Sequence, residues 1–389
     1  MINVLVLTPW FPTAKKPGYG VFVMEQTKAL VDSTEVVPTV LYYDPSSNFS
    51  FKNIYKLFQD EIIIKELIKF KVYLRKGIHL PLRFSITRKL WIIQHIKIFK
   101  KYLEENKRPD VIHAHTFWGG LIALELNKRY KIPYIITEHS SLLISENYKQ
   151  RDYFKRIISK SYKKASKLVA VGPILARKMK EYNFQNIEII PNSIDTLFFS
   201  PFLTKGIENK QIKILTIGGL IPLKQIHLAI KSVCLLFKQG FNITLKIIRE
   251  GPLRKELEEL IKKNNANKYI LLLGYRNRDE IKMILNQTNF YLHTSKTETF
   301  GIVLIEAMAM GVPVISTMSG GPENFITKET GLIVENSTTE AIVEAIKFMI
   351  KNKEDFKSKN IRQYILNNFS NEKVSIRIEK IYKTVKKVK

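Results

Sequence analysis

Short apolar runs alternate with stretches of helical periodicity along all 389 residues. The runs at 2–8, 36–43, 110–113, 133–137, 168–171 and 187–190 read as buried strands. After an interval the same kind of run returns at 212–217, 243–248, 269–273, 289–293, 313–316 and 332–334. Between most of them the apolar spacing predicts helices, over 22–32, 118–130, 173–182, 224–238, 253–264, 302–310 and 338–351. Apolar strands joined by helices belong to parallel sheets covered on both faces. The alternation runs through twice, so the expected fold class is α/β with two doubly wound, Rossmann-like domains. The division is expected between 197 and 198, inside Asp195–Pro201 and just before the polar stretch Thr204 to Gln211. Ligands of open parallel sheets sit beyond the carboxyl ends of the strands, which makes a cleft between the domains the expected site.

Composition narrows this picture. A hydrophobic fraction of 45%, with 22 Phe and 17 Tyr, supplies ample core. The single cysteine, Cys234, excludes an intrachain disulfide and a cysteine metal cluster. Met1 to Pro9 reads as a first buried strand rather than a signal peptide, and no run of apolar residues is long enough for a membrane span, so a cytoplasmic location is expected.

Charge points to a partner. Net charge is +28, from 63 Lys and Arg against 35 Asp and Glu. Nucleic acid and anionic lipid both attract such a surface. Residues 51–109 hold fifteen Lys and Arg against five acids, mixed with large apolar residues. From Phe84 to Leu103 the spacing is helical, with Leu90, Ile93, Ile96 and Phe99 set against Arg88, Lys89, Lys97, Lys100 and Lys101. A second basic run, Lys149, Arg151, Lys155, Arg156, Lys160, Lys163, Lys164 and Lys167, faces only Asp152. Basic amphipathic helices of this kind suit an anionic membrane surface better than nucleic acid.

Candidate chemistry sits at the predicted strand ends. Thr294 to Gly301 is a polar loop carrying Glu298, and the apolar helix after it carries Glu306 eight positions on. Gly301 can take left-handed backbone angles, and a helix opening there points its N–H groups back at the loop, which favours an anion. A phosphate held there would have both carboxylates beside it as hydroxyl acceptors, equipment suited to a nucleotide sugar. After the strand 212–217, Gly218 and Gly219 let backbone amides approach a phosphate, and Lys224 adds a full positive charge. Near the N-terminus Gly18 and Gly20 precede a helix, but Val23 stands where a dinucleotide fingerprint needs its third glycine, which disfavours hydride transfer. His115 and His139 end adjacent predicted strands and should share one sheet edge. No His, Asp and Glu grouping has metal spacing, so no metal or other cofactor is expected.

With its Phe-Gly, its Gly311-Val312-Pro313 and its Ser319-Gly320-Gly321-Pro322-Glu323, the 294–323 segment resembles the donor-site signature of the retaining glycosyltransferases of family 4, which have the GT-B fold. The resemblance runs from residue 2 to about 335 and includes Pro191-Asn192-Ser193-Ile194-Asp195 near the family's interdomain hinge. It implies a nucleoside-diphosphate sugar as donor, read by Glu298 near the transferred sugar and Glu306 near the ribose, with Phe300, Gly301 and Ile302 around them. It further implies Lys224 on the diphosphate, Gly18 and Gly20 in a loop approaching donor or acceptor, and His139 as the cleft histidine; His115, expected at the same sheet edge, joins it as an acceptor-side candidate. By the same resemblance 1–197 is the acceptor-binding domain, 198–371 the donor-binding domain, and 372–389 a helix crossing back to the first. Three departures are visible. Thr299 replaces the glycine of Glu-Gly-Phe-Gly, Gly219 stands where an arginine is usual with Gln225 for the glycine after the lysine, and Arg249-Glu250-Gly251-Pro252 replaces Gly-x-Gly-Pro. Either a nearby base such as Arg249 stands in for the missing arginine, or donor binding is weaker or of altered specificity. The expected reaction is sugar transfer, with His139, Lys224 and Glu298 as the catalytic set and a lipid-linked glycan as acceptor. A sugar-nucleotide 2-epimerase of the same fold and a nucleic-acid-binding protein are the rival readings.

Overall fold

The computed structural model describes residues 1–387 other than 15, 49–60, 68, 80–83, 145–151 and 203–210. Lys149 and Arg151 of the second basic run and residues 204–210 of the polar stretch therefore lie outside the described residues. The chain divides into two compact units, Met1–Pro191 with Asn371–Lys389, and Asn192–Ser370.

In the first unit the chain forms β1 (Ile2–Leu7), α1 (Val21–Ser33), β2 (Val36–Asn48), β3 (Ile63–Glu66), β4 (Lys71–His79), α2 (Phe84–Glu105), β5 (Val111–His115), α3 (Thr116–Tyr130), β6 (Tyr134–Glu138), α4 (Asp152–Lys164), β7 (Lys167–Ala170), α5 (Pro173–Glu181) and β8 (Ile187–Ile189). The eight strands lie in the order β3-β4-β2-β1-β5-β6-β7-β8, all parallel except β3, which runs antiparallel to β4. β5 and β6 are buried along their whole length, as strands covered on both faces must be. The strands β3 and β4 fall in the stretch where no strand is expected from the sequence. The reason is Arg75, which sits fully buried in β4 beside Val72, Tyr73 and Leu74 and breaks the apolar run that betrays the other strands. On α2 the buried side is Ile96, Ile98, Phe99 and Tyr102, whereas Ile93 is 48% exposed and Ile86 44%, so the expected apolar face that includes Ile93 is corrected here.

The second unit forms β9 (Ile212–Ile217), α6 (Ile226–Lys238), β10 (Ile243–Ile248), α7 (Arg254–Lys263), β11 (Ile270–Gly274), α8 (Arg278–Asn286), β12 (Phe290–His293), α9 (Ile302–Ala309), β13 (Val314–Thr317), β14 (Gly331–Val334), α10 (Thr339–Lys351) and α11 (Ser358–Phe369). Its six parallel strands lie in the order β11-β10-β9-β12-β13-β14. The chain runs outward from β9 to β11 and then returns to place β12 on the other side of β9. The strand order therefore reverses between β9 and β12, the point at which open α/β sheets bind ligands. The division falls at 191/192 rather than at 197/198, because the connecting stretch is tied into the second unit. Ile194 donates its N–H to Phe369 O at 2.9 Å, and Arg362 donates to the carbonyls of Thr196, Phe199 and Ala309 at 2.9, 2.7 and 2.6 Å.

The last helix, α12 (Asn371–Lys387), belongs to the first unit. Val374, Ile378, Ile381, Tyr382 and Val385 recur at helical spacing on one face and join the core formed by Ile2, Val4, Val6 and Val40. Glu372 in its first turn and Lys386 and Lys387 in its last match the helix dipole. No helix among the described residues is long and apolar enough to cross a membrane.

Candidate functional site

The turns after β9, β10 and β12 lie side by side because β9 is paired on its two edges with β10 and β12. The turn after β9 carries Gly218 and Gly219, a short helical turn at Pro222–Lys224, and then Gln225 with φ 46°. It is locked to its neighbours through the backbone. Lys296 donates to Leu223 O at 2.8 Å, Thr294 Oγ1 to Lys224 O at 2.9 Å, and Leu220 to Glu250 O at 3.1 Å. Gly251 is required by this approach, since a Cβ there would meet Leu220 backbone atoms at 2.4 Å. Gly218 and Gly219 are not so confined. A Cβ at either would find protein atoms no nearer than 3.5 and 3.9 Å. Gly218 nevertheless donates its N–H to Ile248 O at 3.1 Å, so the expectation that its amide meets a phosphate is corrected, and it is the backbone of Gly219 that lies open to approach.

Across this turn Lys224 Nζ stands 2.5 Å from Glu298 Oε2, both side chains being about one-fifth exposed. The loop carrying Glu298 is fixed in turn: Glu298 donates its N–H to Ser319 O at 2.8 Å, and Glu323 holds the next turn by accepting from the N–H of Ser319 and, at 2.9 Å, from that of Gly320. Gly321 allows Phe300 to pass, because a Cβ there would lie 2.6 Å from Phe300 N. A residue not anticipated from the sequence joins this group. His293, the last of β12 and 2% exposed, brings Nε2 to 3.3 Å from the same Glu298 oxygen, and this nitrogen has no better-aligned partner among the described residues. A histidine closing an apolar strand carries no spacing that could have singled it out.

The electrostatics are uneven. Burial alone would raise the Glu298 carboxyl, but the His293 ring and the Lys224 ammonium outweigh it and hold the group at about 2. Glu306, on α9 beyond Gly301 at φ 99°, keeps part of its surface accessible while dense surroundings push its carboxyl up to about 7, opposed by the charges of Arg278 and Arg249. Burial likewise lowers His293, against the pull of Glu298. Arg249 itself adopts φ 114°, a region that favours glycine, donates its N–H to Gly274 O at 2.9 Å and lies over the Tyr275 ring at 5.5 Å. Phe300 is buried against Phe325 and Phe369, and Ile302 opens α9.

The remaining candidates lie in the first unit. Gly18 is exposed in a turn, and Gly20, at φ 72°, precedes α1 where a Cβ would lie 2.4 Å from Trp10 O. The register of β5 on β6 pairs His115 with Thr137 and brings the histidines together. His113 is held between Tyr382 Oη (2.6 Å) and Thr137 Oγ1 (2.7 Å), His115 stacks on it at 4.4 Å, and His115 Nδ1 meets His139 Nε2 at 3.0 Å. His115 is 1% exposed and stands behind His139, which is half-buried under Phe22. Burial lowers His113 to about 3 and His115 well below the usual range, so both rings are neutral. Beside them Glu138 is raised by burial to about 7 and is held by the Tyr162 hydroxyl and the N–H groups of His139 and Ser140.

Chemically, the second unit assembles an ammonium, an open glycine backbone at Gly219 and two carboxylates at one strand switch point. That set can neutralise a di-anion and accept hydroxyl hydrogen bonds.

Known proteins resemble this chain in sequence and in fold. A family model described as Glycosyltransferase Family 4 matches residues 7–197, and one described as Glycosyl transferases group 1 matches residues 203–367. An uncharacterized glycosyltransferase of Methanocaldococcus jannaschii is 29% identical over 75% of this chain and 80% of its own length. The putative teichuronic acid biosynthesis glycosyltransferase TuaC of Bacillus subtilis is 26% identical over 89% and 88%. Among solved structures, sucrose-phosphate synthase of Thermosynechococcus elongatus superposes with a TM-score of 0.80 at 17% identity, covering 100% of both chains. HepE of Anabaena, crystallised in complex with UDP and glucose, gives 0.74 at 16% identity, covering 98% of this chain and 99% of its own.

Proposed function

Since the chain belongs to the glycosyltransferases of family 4 and has the GT-B fold, we propose that it moves a sugar from a nucleoside diphosphate to an acceptor hydroxyl with retention of anomeric configuration. The observation that carries this reading is the meeting of Lys224 and Glu298 at 2.5 Å beside the open backbone of Gly219. Lys224, the Gly219 amide and the start of α9 neutralise charge developing on the leaving diphosphate, each contributing about 2–4 kcal/mol to the lowering of the barrier. Glu298 orients the sugar, Glu306 the ribose, and Arg249 supplies the second cation. His139, backed by His115, serves the acceptor side with Gly18 and Gly20. No metal or other cofactor enters this scheme.

The acceptor we propose is a lipid-linked glycan of surface polysaccharide synthesis, met with the protein peripheral on the inner face of the cytoplasmic membrane. The name of the Bacillus subtilis relative supports it, as do the exposed Ile86 and Ile93 beside Lys89 and Lys100 on α2.

A thermal-shift screen with UDP, GDP and ADP tests the donor site. One of them should stabilise the protein by about 2.7 kcal/mol at 100 times its dissociation constant. Lys224→Ala should abolish that shift and lower donor turnover by roughly 100-fold or more. No shift with any of the three, or full turnover in the variant, contradicts the reading.

A further inference from the structure

We propose that His293 is the positioning residue that keeps Glu298 in place once the donor's diphosphate has drawn Lys224 away from it. The inference rests on the donor site described above and assigns a role that reading leaves open.

The contact between Lys224 and Glu298 is short, 2.5 Å, and both of these residues have tasks during transfer. An ammonium that turns to a diphosphate can no longer hold the carboxylate at that distance, and a partly buried carboxylate that loses its counterion loses its orientation as well. His293 cannot follow such a movement. It is the last residue of β12, its backbone lies in register with Ser316 of β13, and its carbonyl accepts from Thr317 Oγ1 at 3.4 Å. Its Nε2 therefore stays 3.3 Å below Glu298 Oε2 with no better-aligned partner, ready to donate once the ammonium leaves. Both contacts use Oε2. The other carboxylate oxygen is left to meet a sugar hydroxyl, and the imidazole fixes which oxygen that is.

The charged and titratable groups that act on Glu298 are Lys224 from the turn after β9 and His293 and Tyr291 from β12; Glu323 from the turn after β13 acts on His293, and Glu306 from α9 and Arg249 from the end of β10 act on Tyr291. Burial favours the protonated carboxyl, and His293 opposes it first, ahead of Lys224. Transfer needs Glu298 ionised to accept a hydroxyl. With His293 removed and Lys224 engaged elsewhere, the carboxyl titrates at higher pH, and the acid limb of turnover moves upward with it.

The test compares wild type, His293→Leu and His293→Gln, the amide of Gln restoring a donor near the position of Nε2. Binding is measured with UDP, GDP and ADP, and turnover as diphosphate release from UDP-glucose, GDP-mannose and ADP-glucose, with water as acceptor. His293→Leu should bind the preferred diphosphate as wild type does, lose roughly tenfold to a hundredfold in kcat with little change in KM, and show an acid limb raised by about one pH unit or more. His293→Gln should recover most of kcat. Wild-type kcat and an unmoved acid limb in His293→Leu overturn the proposal. If the Leu variant fails to bind diphosphate because it has not folded, the Gln variant decides: recovery supports the role, and a folded Gln variant with kcat depressed tenfold or more at unchanged diphosphate affinity overturns it. A wild-type protein that binds none of the three diphosphates overturns the donor site itself, an outcome distinct from the others.

Discussion

At the scale of single residues, two positions where family members carry glycine hold a side chain on a left-handed backbone: Gln225 at φ 46° and Arg249 at φ 114°. The backbone course has been kept while the residue that makes it easy has not, and such a conformation costs about 1–3 kcal/mol when a side chain is present. In the proposed function the cost at Arg249 is offset by the positive charge it brings beside Glu306. Arg249→Gly should therefore raise thermal stability, by about 1 kcal/mol, and yet weaken nucleoside diphosphate binding roughly tenfold or more. Gln225→Gly should stabilise similarly with binding unchanged, so a titration calorimetry series on the two variants separates strain from charge. Lys224, Glu298 and Glu306 stand out as candidates in the sequence because each lies near a glycine in a segment that follows an apolar strand. His293 does not, because its role comes from a strand end meeting a loop that starts beyond it, a tertiary juxtaposition without local pattern.

At the scale of elements, the strands of the second unit were readable almost to the residue, β9 and β10 without any shift, because nothing charged interrupts them on the buried side. In the first unit β3 and β4 were hidden by the buried Arg75 and by the short, half-exposed β3, and in the second unit α8 and α11 were not anticipated. α8 in fact carries a local start signal, the reciprocal pair of Asn277 and Glu280, each accepting from the other's N–H. α12 illustrates the opposite limit. Its amphipathic spacing is plain, but its hydrogen bond from Tyr382 to His113 is buried and reaches across 269 residues. Tyr382→Phe should strip His113 Nδ1 of its partner and destabilise the protein by about 1–3 kcal/mol, read as a lower melting temperature with diphosphate affinity retained. An unchanged melting temperature would show that the hydroxyl is dispensable to the first unit.

At the scale of the whole molecule, the net charge is +28, more than a donor site with two cations requires. On α2 the exposed side combines Ile86 and Ile93 with Lys89 and Lys100, which suits insertion of a shallow apolar edge beneath anionic headgroups. Cosedimentation with phosphatidylglycerol vesicles at low salt should retain the protein, release it as salt is raised, and fail with neutral phosphatidylcholine vesicles. Ile93→Glu should weaken retention severalfold without affecting diphosphate binding, and full retention of that variant would remove α2 from the contact.

The position of α12 in the first unit also sets an order of assembly on the ribosome. Residues 192–370 form an uninterrupted unit that can collapse as it emerges, whereas the core around Ile2 and Val4 stays open until the segment carrying Ile378 and Tyr382 has been translated. The half of the protein made first is thus the half finished last, and its apolar stripe waits, uncovered, for the closing helix.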